Sequence, residues 1–138
     1  MAVEKRIQSF VLMANTYSLH DFVYDDQNPA LVEWRKSMGD EKIQAYFRQF
    51  PWDDSKPFAG HSAPAAVFLQ NGRLDSDLPE QTVRKSFQYF LEPKRIEFYD
   101  AGHELNSAAR VDRVKWLQTR LKVKTLKPRV LGAIKQVK

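Results

Sequence analysis

Apolar residues gather in three short runs along the chain. The first is Ile7 to Ala14, centred on Phe10-Val11-Leu12-Met13. The second is Ala65 to Gln70, entered through Pro64. The third is Arg95 to Tyr99. The first two are continuous rather than alternating, the pattern of strands covered on both faces. The third alternates more and is expected nearer a sheet edge. Helical spacing fills the intervals. Leu31, Trp34 and Met38 fall on one face behind Pro29, and Ile43, Tyr46, Phe47 and Phe50 repeat the pattern until Pro51. Val83, Phe87, Phe90 and Leu91 form a third face behind Pro79 and Glu80, two residues favoured at a helix start. Val114, Leu117 and Leu121 form a fourth, in a helix expected to start near Asn106 or Ser107.

Strands alternating with helices predict an α/β layer with about three mostly parallel strands. The stretch between the first two runs is roughly 50 residues, long for a simple crossover. It is rich in aromatics and broken by Pro29, Pro51, Pro57 and Pro64. It predicts a helical insertion over about residues 16–63, set above one end of the sheet. The stripe Trp34, Tyr46, Phe47 and Phe50 reads either as core or as the lining of a pocket.

Composition narrows the class. The chain has 138 residues, 43% hydrophobic, with nine Phe, five Tyr and three Trp, enough for a packed core. It has no cysteine, which excludes a disulfide framework and thiol chemistry and fits a cytoplasmic setting. No apolar run approaches the roughly 20 residues of a membrane helix. The net charge of +5 belongs to the tail. Residues 122–138 hold six basic side chains and no acidic one, so the first 121 residues are slightly negative. A nucleic-acid-binding domain clusters charge across a folded face, so nucleic acid is not an expected partner. The tail reads as a solvated terminus or, through Val130, Leu131 and Ile134, as a short amphipathic anion-surface contact.

The candidate chemistry follows the second and third runs. The second leads into Asn71-Gly72-Arg73-Leu74-Asp75, and the third into Asp100-Ala101-Gly102-His103. Open α/β sheets collect their chemistry at the C-terminal ends of their strands. Loops after successive parallel strands can face each other there. Asp75 is then placed to accept a hydrogen bond from one ring nitrogen of His103, which leaves the other as a general base. Asp77 is a competing acid, or a helix-start residue ahead of Pro79. Taken singly, Asp75 is equally a turn residue. His20, His61 and His103 lack any short metal-ligand spacing. No metal and no cofactor is expected.

The segments Gly72-Arg73-Leu74-Asp75-Ser76-Asp77-Leu78-Pro79 and Tyr99-Asp100-Ala101-Gly102-His103, the latter followed by Asp112-Arg113-Val114-Lys115-Trp116-Leu117, resemble the acid loop, histidine loop and terminal helix of the α/β-hydrolases. The likeness is greatest to dienelactone-hydrolase-like and acyl-peptidase-like members and covers about residues 1–121. It implies serine-type hydrolysis of an ester, thioester, lactone or peptide, with His103 as base and Asp75 as its orienting acid.

One part of that pattern is missing. The family's nucleophile sits in a Gly-x-Ser-x-Gly turn between strand and helix. None of the eight serines, Ser9, Ser18, Ser37, Ser55, Ser62, Ser76, Ser86 and Ser107, lies in such a turn. The expectation is a C-terminal portion of a hydrolase domain that carries acid and base without nucleophile, through truncation, a split gene or a mis-started frame. Strand 7–14 would then show an uncovered apolar edge, an invitation to pairing. The expected partners are another copy of the chain or a complementary N-terminal fragment, with a small acyl substrate for the complete form. The competing expectation is a non-catalytic, self-associating module on the same fold.

Overall fold

The computed structural model describes residues 4, 6–16, 18–25 and 27–124. Residues 125–138, and with them most of the basic tail, lie outside the described residues. Three parallel strands, β1 (Ser9–Met13), β2 (Ala66–Gly72) and β3 (Lys94–Tyr99), form one sheet in that spatial order. The helices α1 (Leu19–Val23), α2 (Pro29–Met38), α3 (Asp40–Gln49) and α4 (Lys56–Ala59), with a 3₁₀ turn over Pro51–Asp53, lie between β1 and β2. The helix α5 (Glu80–Phe87) connects β2 to β3, and α6 (Ser107–Leu121) follows β3. This is a partial α/β fold with a helical insertion after the first strand. Among the described residues, no helix is long and apolar enough to cross a membrane.

The central strand explains the sheet. All seven residues of β2 are buried. Side chains alternate between faces along a strand, so Val67 and Leu69 join Leu78, Val83, Phe90 and Ala59 on one side. Ala66 and Phe68 meet Trp116 of α6 on the other. The rings of Phe68 and Trp116 lie 5.1 Å apart, and the Trp116 indole donates to Ser9 Oγ at 2.7 Å. One helix is thereby tied to both β1 and β2.

The outer strands are less covered. β3 lies at a sheet edge, as its alternation predicts. β1 also has β2 as its single partner among the described residues, and its side chains are half-buried to exposed, with Met13 44% accessible. The run predicted as residues 7–14 shortens to Ser9–Met13. Ile7 is exposed, and Ala14 turns out of the strand at φ 42°.

Caps and turns match the sequence signals. The Asn28 side chain accepts from the amides of Ala30 and Leu31, with Pro29 opening α2. Asn106 does the same for α6 through Ala108 and Ala109. Gly39 joins α2 to α3 at φ 82°, a conformation that favours glycine.

Two helix expectations need correction. α5 ends at Phe87, short of Leu91. Its exit tightens into i→i−3 bonds, and Lys94 Nζ donates to the carbonyls of Phe87 at 3.2 Å and Phe90 at 2.8 Å. Phe90 turns back into the core, whereas Leu91 is exposed. α6 buries Ala109, Val111 and Trp116 most deeply; of the expected face, Leu117 packs half-buried against the Phe68–Trp116 cluster, Val114 is half-buried and Leu121 is exposed. The docking of Trp116 on Phe68 and the bonding of α6 to the strand ends set its rotation.

Candidate active site

The parallel order of β2 and β3 brings their C-terminal loops to the same edge. Gly72 lets them meet. A Cβ added there would lie 2.1 Å from the Ala101 carbonyl oxygen and 2.4 Å from that of Gly102. Both obstacles are backbone, so only glycine permits this approach. The loops are then joined by Arg73 N–H to Tyr99 O at 2.8 Å and Leu74 N–H to Ala101 O at 3.0 Å. Across the top, the Arg73 guanidinium faces Asp100 at 3.6 Å, an exposed pair that adds little stability.

Asp75 and His103 come together at this junction. His103 Nδ1 lies 3.0 Å from Asp75 Oδ2. Asp75 Oδ1 accepts from the backbone amides of Asp77 at 3.0 Å and Leu78 at 3.1 Å. The Asp75 side chain is wholly buried, while that of His103 is half exposed. A carboxylate only accepts, so the shared proton belongs on Nδ1. That leaves Nε2 as the lone-pair nitrogen of the neutral ring. Among the described residues, Nε2 has no hydrogen-bond partner. Asp77, the competing acid, is exposed and supplies only its backbone amide to the pair.

Beneath the pair, a polar network fixes the strand ends. Gln70 Nε2 donates to Tyr99 Oη and to the Ala109 carbonyl, each at 2.8 Å. Arg113 Nε donates to Gln70 Oε1 at 3.1 Å, and the Tyr99 hydroxyl donates to Asp112 at 3.2 Å. Burial pushes the Tyr99 hydroxyl up to about 12; the Gln70 bond opposes this in part, and the Asp112 charge adds to it. Burial, then the nearby Arg110 charge, pulls Arg113 below its ordinary value. Asp112 and Arg113 therefore orient α6 through Tyr99 and Gln70. Sequence patterning does not reveal these two partners. A glutamine inside a buried strand is the one signal that points to them.

No protein-family model and no curated protein sequence matches this chain.

The site is thus defined by its geometry. His103 lines an open cleft of about 320 Å³ together with Ala14, Asn15 and Thr16 beyond β1, and with Ser55 and Asp77. Ser55 shares the cleft although no sequence motif marks it. Among the described residues, no hydroxyl group is hydrogen-bonded to His103. Thr16 Oγ1 is engaged with Ser86 Oγ at 3.0 Å. Ser62, the serine nearest a glycine turn in the sequence, is buried and accepts from the Leu91 amide. Ser9 bonds the Ala66 carbonyl and Trp116 within the sheet.

The three histidines do not gather. His20 stacks on Tyr24 at 4.6 Å within the insertion, and His61 is exposed ahead of β2. Ligand atoms of Asp75, Asp77 and His103 do fall within 4.8 Å of one another. Both Asp75 oxygens also make hydrogen bonds within the cluster, and Asp77 lies beside them.

Proposed function

We propose that this chain carries the acid and base of a serine-type acyl hydrolase acting on a small ester, thioester, lactone or peptide. The observation that carries the reading is the contact of buried Asp75 with His103 Nδ1 at 3.0 Å, which leaves Nε2 open to a cleft. In the proposed reaction, Nε2 takes the proton of a hydroxyl as that oxygen attacks the acyl carbon. The imidazolium then returns the proton to the leaving group. Asp75 holds the ring and stabilises its charged form. The hydroxyl comes from a partner, another copy of the chain or a complementary fragment, paired along the edge of β1 that has no strand neighbour among the described residues.

An external alcohol can stand in for that hydroxyl. The test is acyl transfer from an activated ester to trifluoroethanol, catalysed by the purified chain. The reading predicts a transfer rate at least about tenfold above that of His103→Ala, in keeping with general-base catalysis. Asp75→Asn should lose most of the difference, because the ring tautomer is no longer fixed. Equal rates in wild type and His103→Ala would overturn the reading. A covalent adduct on Ser55 would instead place the nucleophile within this chain.

A second reading is favoured by the half-buried apolar edge of β1: a non-catalytic module that pairs with its own copy. It predicts a dimer in light scattering that Met13→Lys disperses, and transfer rates indifferent to His103.

A further inference from the structure

The insertion holds a second cavity, of about 440 Å³, within the size range of small-molecule sites. Leu19 and Val23 of α1, Leu31 and Trp34 of α2, and Ile43 and Phe47 of α3 supply most of its wall. Lys42, exposed at the rim, is the one charged side chain lining it.

Three observations describe it. First, α2 buries no residue at all, and α3 buries only Ile43. Trp34 and Tyr46 remain 42% accessible at the cavity edge. Apolar area left in water is favourable to cover. Secondly, Leu19 lines both this cavity and the cleft of His103, so the two spaces share a wall. Thirdly, that wall is anchored. Ser18, fully buried, caps α1 through the Asp21 amide at 2.9 Å and donates to Asp54 at 3.1 Å. The next turn is tied to α5 and the segment after it, Asp21 accepting from Tyr89 and Asp25 from Thr82.

We infer that this cavity takes the apolar hydrocarbon chain of the acyl substrate while its carbonyl lies in the neighbouring His103 cleft. The carbonyl placement rests on the hydrolase reading. The chain site rests on the shape and chemistry of the insertion. It selects an uncharged, extended chain: the wall offers almost no hydrogen-bonding partner, and Lys42 keeps its ammonium in water.

The probe is a series of neutral alkan-2-ones of increasing length, titrated into the full chain. Binding is read from methyl NMR shifts of Leu19, Val23, Leu31 and Ile43. Affinity should rise about fourfold for each added methylene until the cavity is filled, then level off. Leu31→Trp, which fills the cavity, and Trp34→Ala, which removes an exposed wall, should each weaken binding by about fourfold or more. Unchanged thermal unfolding would show that both variants fold. Absence of chain-length dependence, or binding indifferent to Leu31→Trp, overturns the inference. So do shifts of the same methyls with protein concentration alone, which assign the face to a second copy. Chain binding with His103-independent acyl transfer would leave the hydrocarbon site standing and remove the hydrolase reading. His103-dependent transfer without chain binding would do the reverse.

Discussion

The central strand and the helical insertion are both apolar in sequence, yet they end in opposite conditions. β2 buries all seven of its residues, and α2 buries none of its ten. The strand has neighbours on both edges and helices on both faces. The two long helices of the insertion pack on each other around an open cavity. Polar ties, among them Asp21–Tyr89, Asp25–Thr82 and Arg35 to the Val23 carbonyl at 2.6 Å, hold the region in place. The difference separates two tasks. The sheet fixes Asp75 and His103 to within hydrogen-bond geometry, and the insertion presents an apolar surface beside them.

The sharpest way to break the contrast is to empty each region in turn. Phe68→Ala, at a fully buried position, should cost about 3–5 kcal/mol in chemical denaturation. Trp34→Ala, at a half-open one, should stay within about 1 kcal/mol of wild type. Equal costs would mean that the insertion carries core that its open geometry conceals.

Next in size is Gly72→Ala. The new methyl would force the backbone at Ala101 and Gly102 away, at a cost of about 1–3 kcal/mol. The more telling effect is on the pair. The His103 loop moves, the Asp75 hydrogen bond opens, and His103-dependent acyl transfer falls with it. A Gly72→Ala protein of normal transfer rate would show that the close approach is not what aligns the two loops.

The smallest effect probes the tie between the two regions. Burial pushes the Asp21 carboxyl up, but the Tyr89 hydrogen bond and the charges of Lys56 and Lys85 outweigh it and hold the group below its ordinary value. An acid depressed in the folded state adds stability above its unfolded value and loses it as pH falls through the folded one. Asp21→Asn should therefore cost about 1 kcal/mol at neutral pH. Its denaturation midpoint should converge with that of wild type as pH falls through and below the carboxylate range. Parallel curves at all pH would remove Asp21 as the tie.

Much of this was legible in the sequence. A continuous apolar run marks β2 because a central parallel strand has no polar face, but β1 carries the same pattern at an edge and is only half-buried. Asp75 and His103 stand out because each follows a predicted strand and a glycine. What patterning cannot give is mutual geometry. The 7–14 strand is shorter than its apolar run because Ala14 leaves the extended region. Leu91 continues the spacing of Val83 and Phe87, but the chain has already turned to reach Pro93. α1 and α4 span too few residues to show a period. The stripe Trp34, Tyr46 and Phe47 has the same spacing whether it faces a core or a cavity, and only the packing of α2 against α3 decides. The Gln70–Tyr99–Asp112 network requires the strand register, which no local pattern contains.

The contact with Asp75 puts the His103 proton on Nδ1 and leaves Nε2 uncommitted. Nitrogen-15 NMR of the imidazole ring, with the ring neutral, tests it most directly. The expected spectrum shows a protonated, Asp75-bonded Nδ1 and a bare Nε2, with this signature lost in Asp75→Asn. A ring with its proton on Nε2, or a spectrum unchanged by Asp75→Asn, would contradict it.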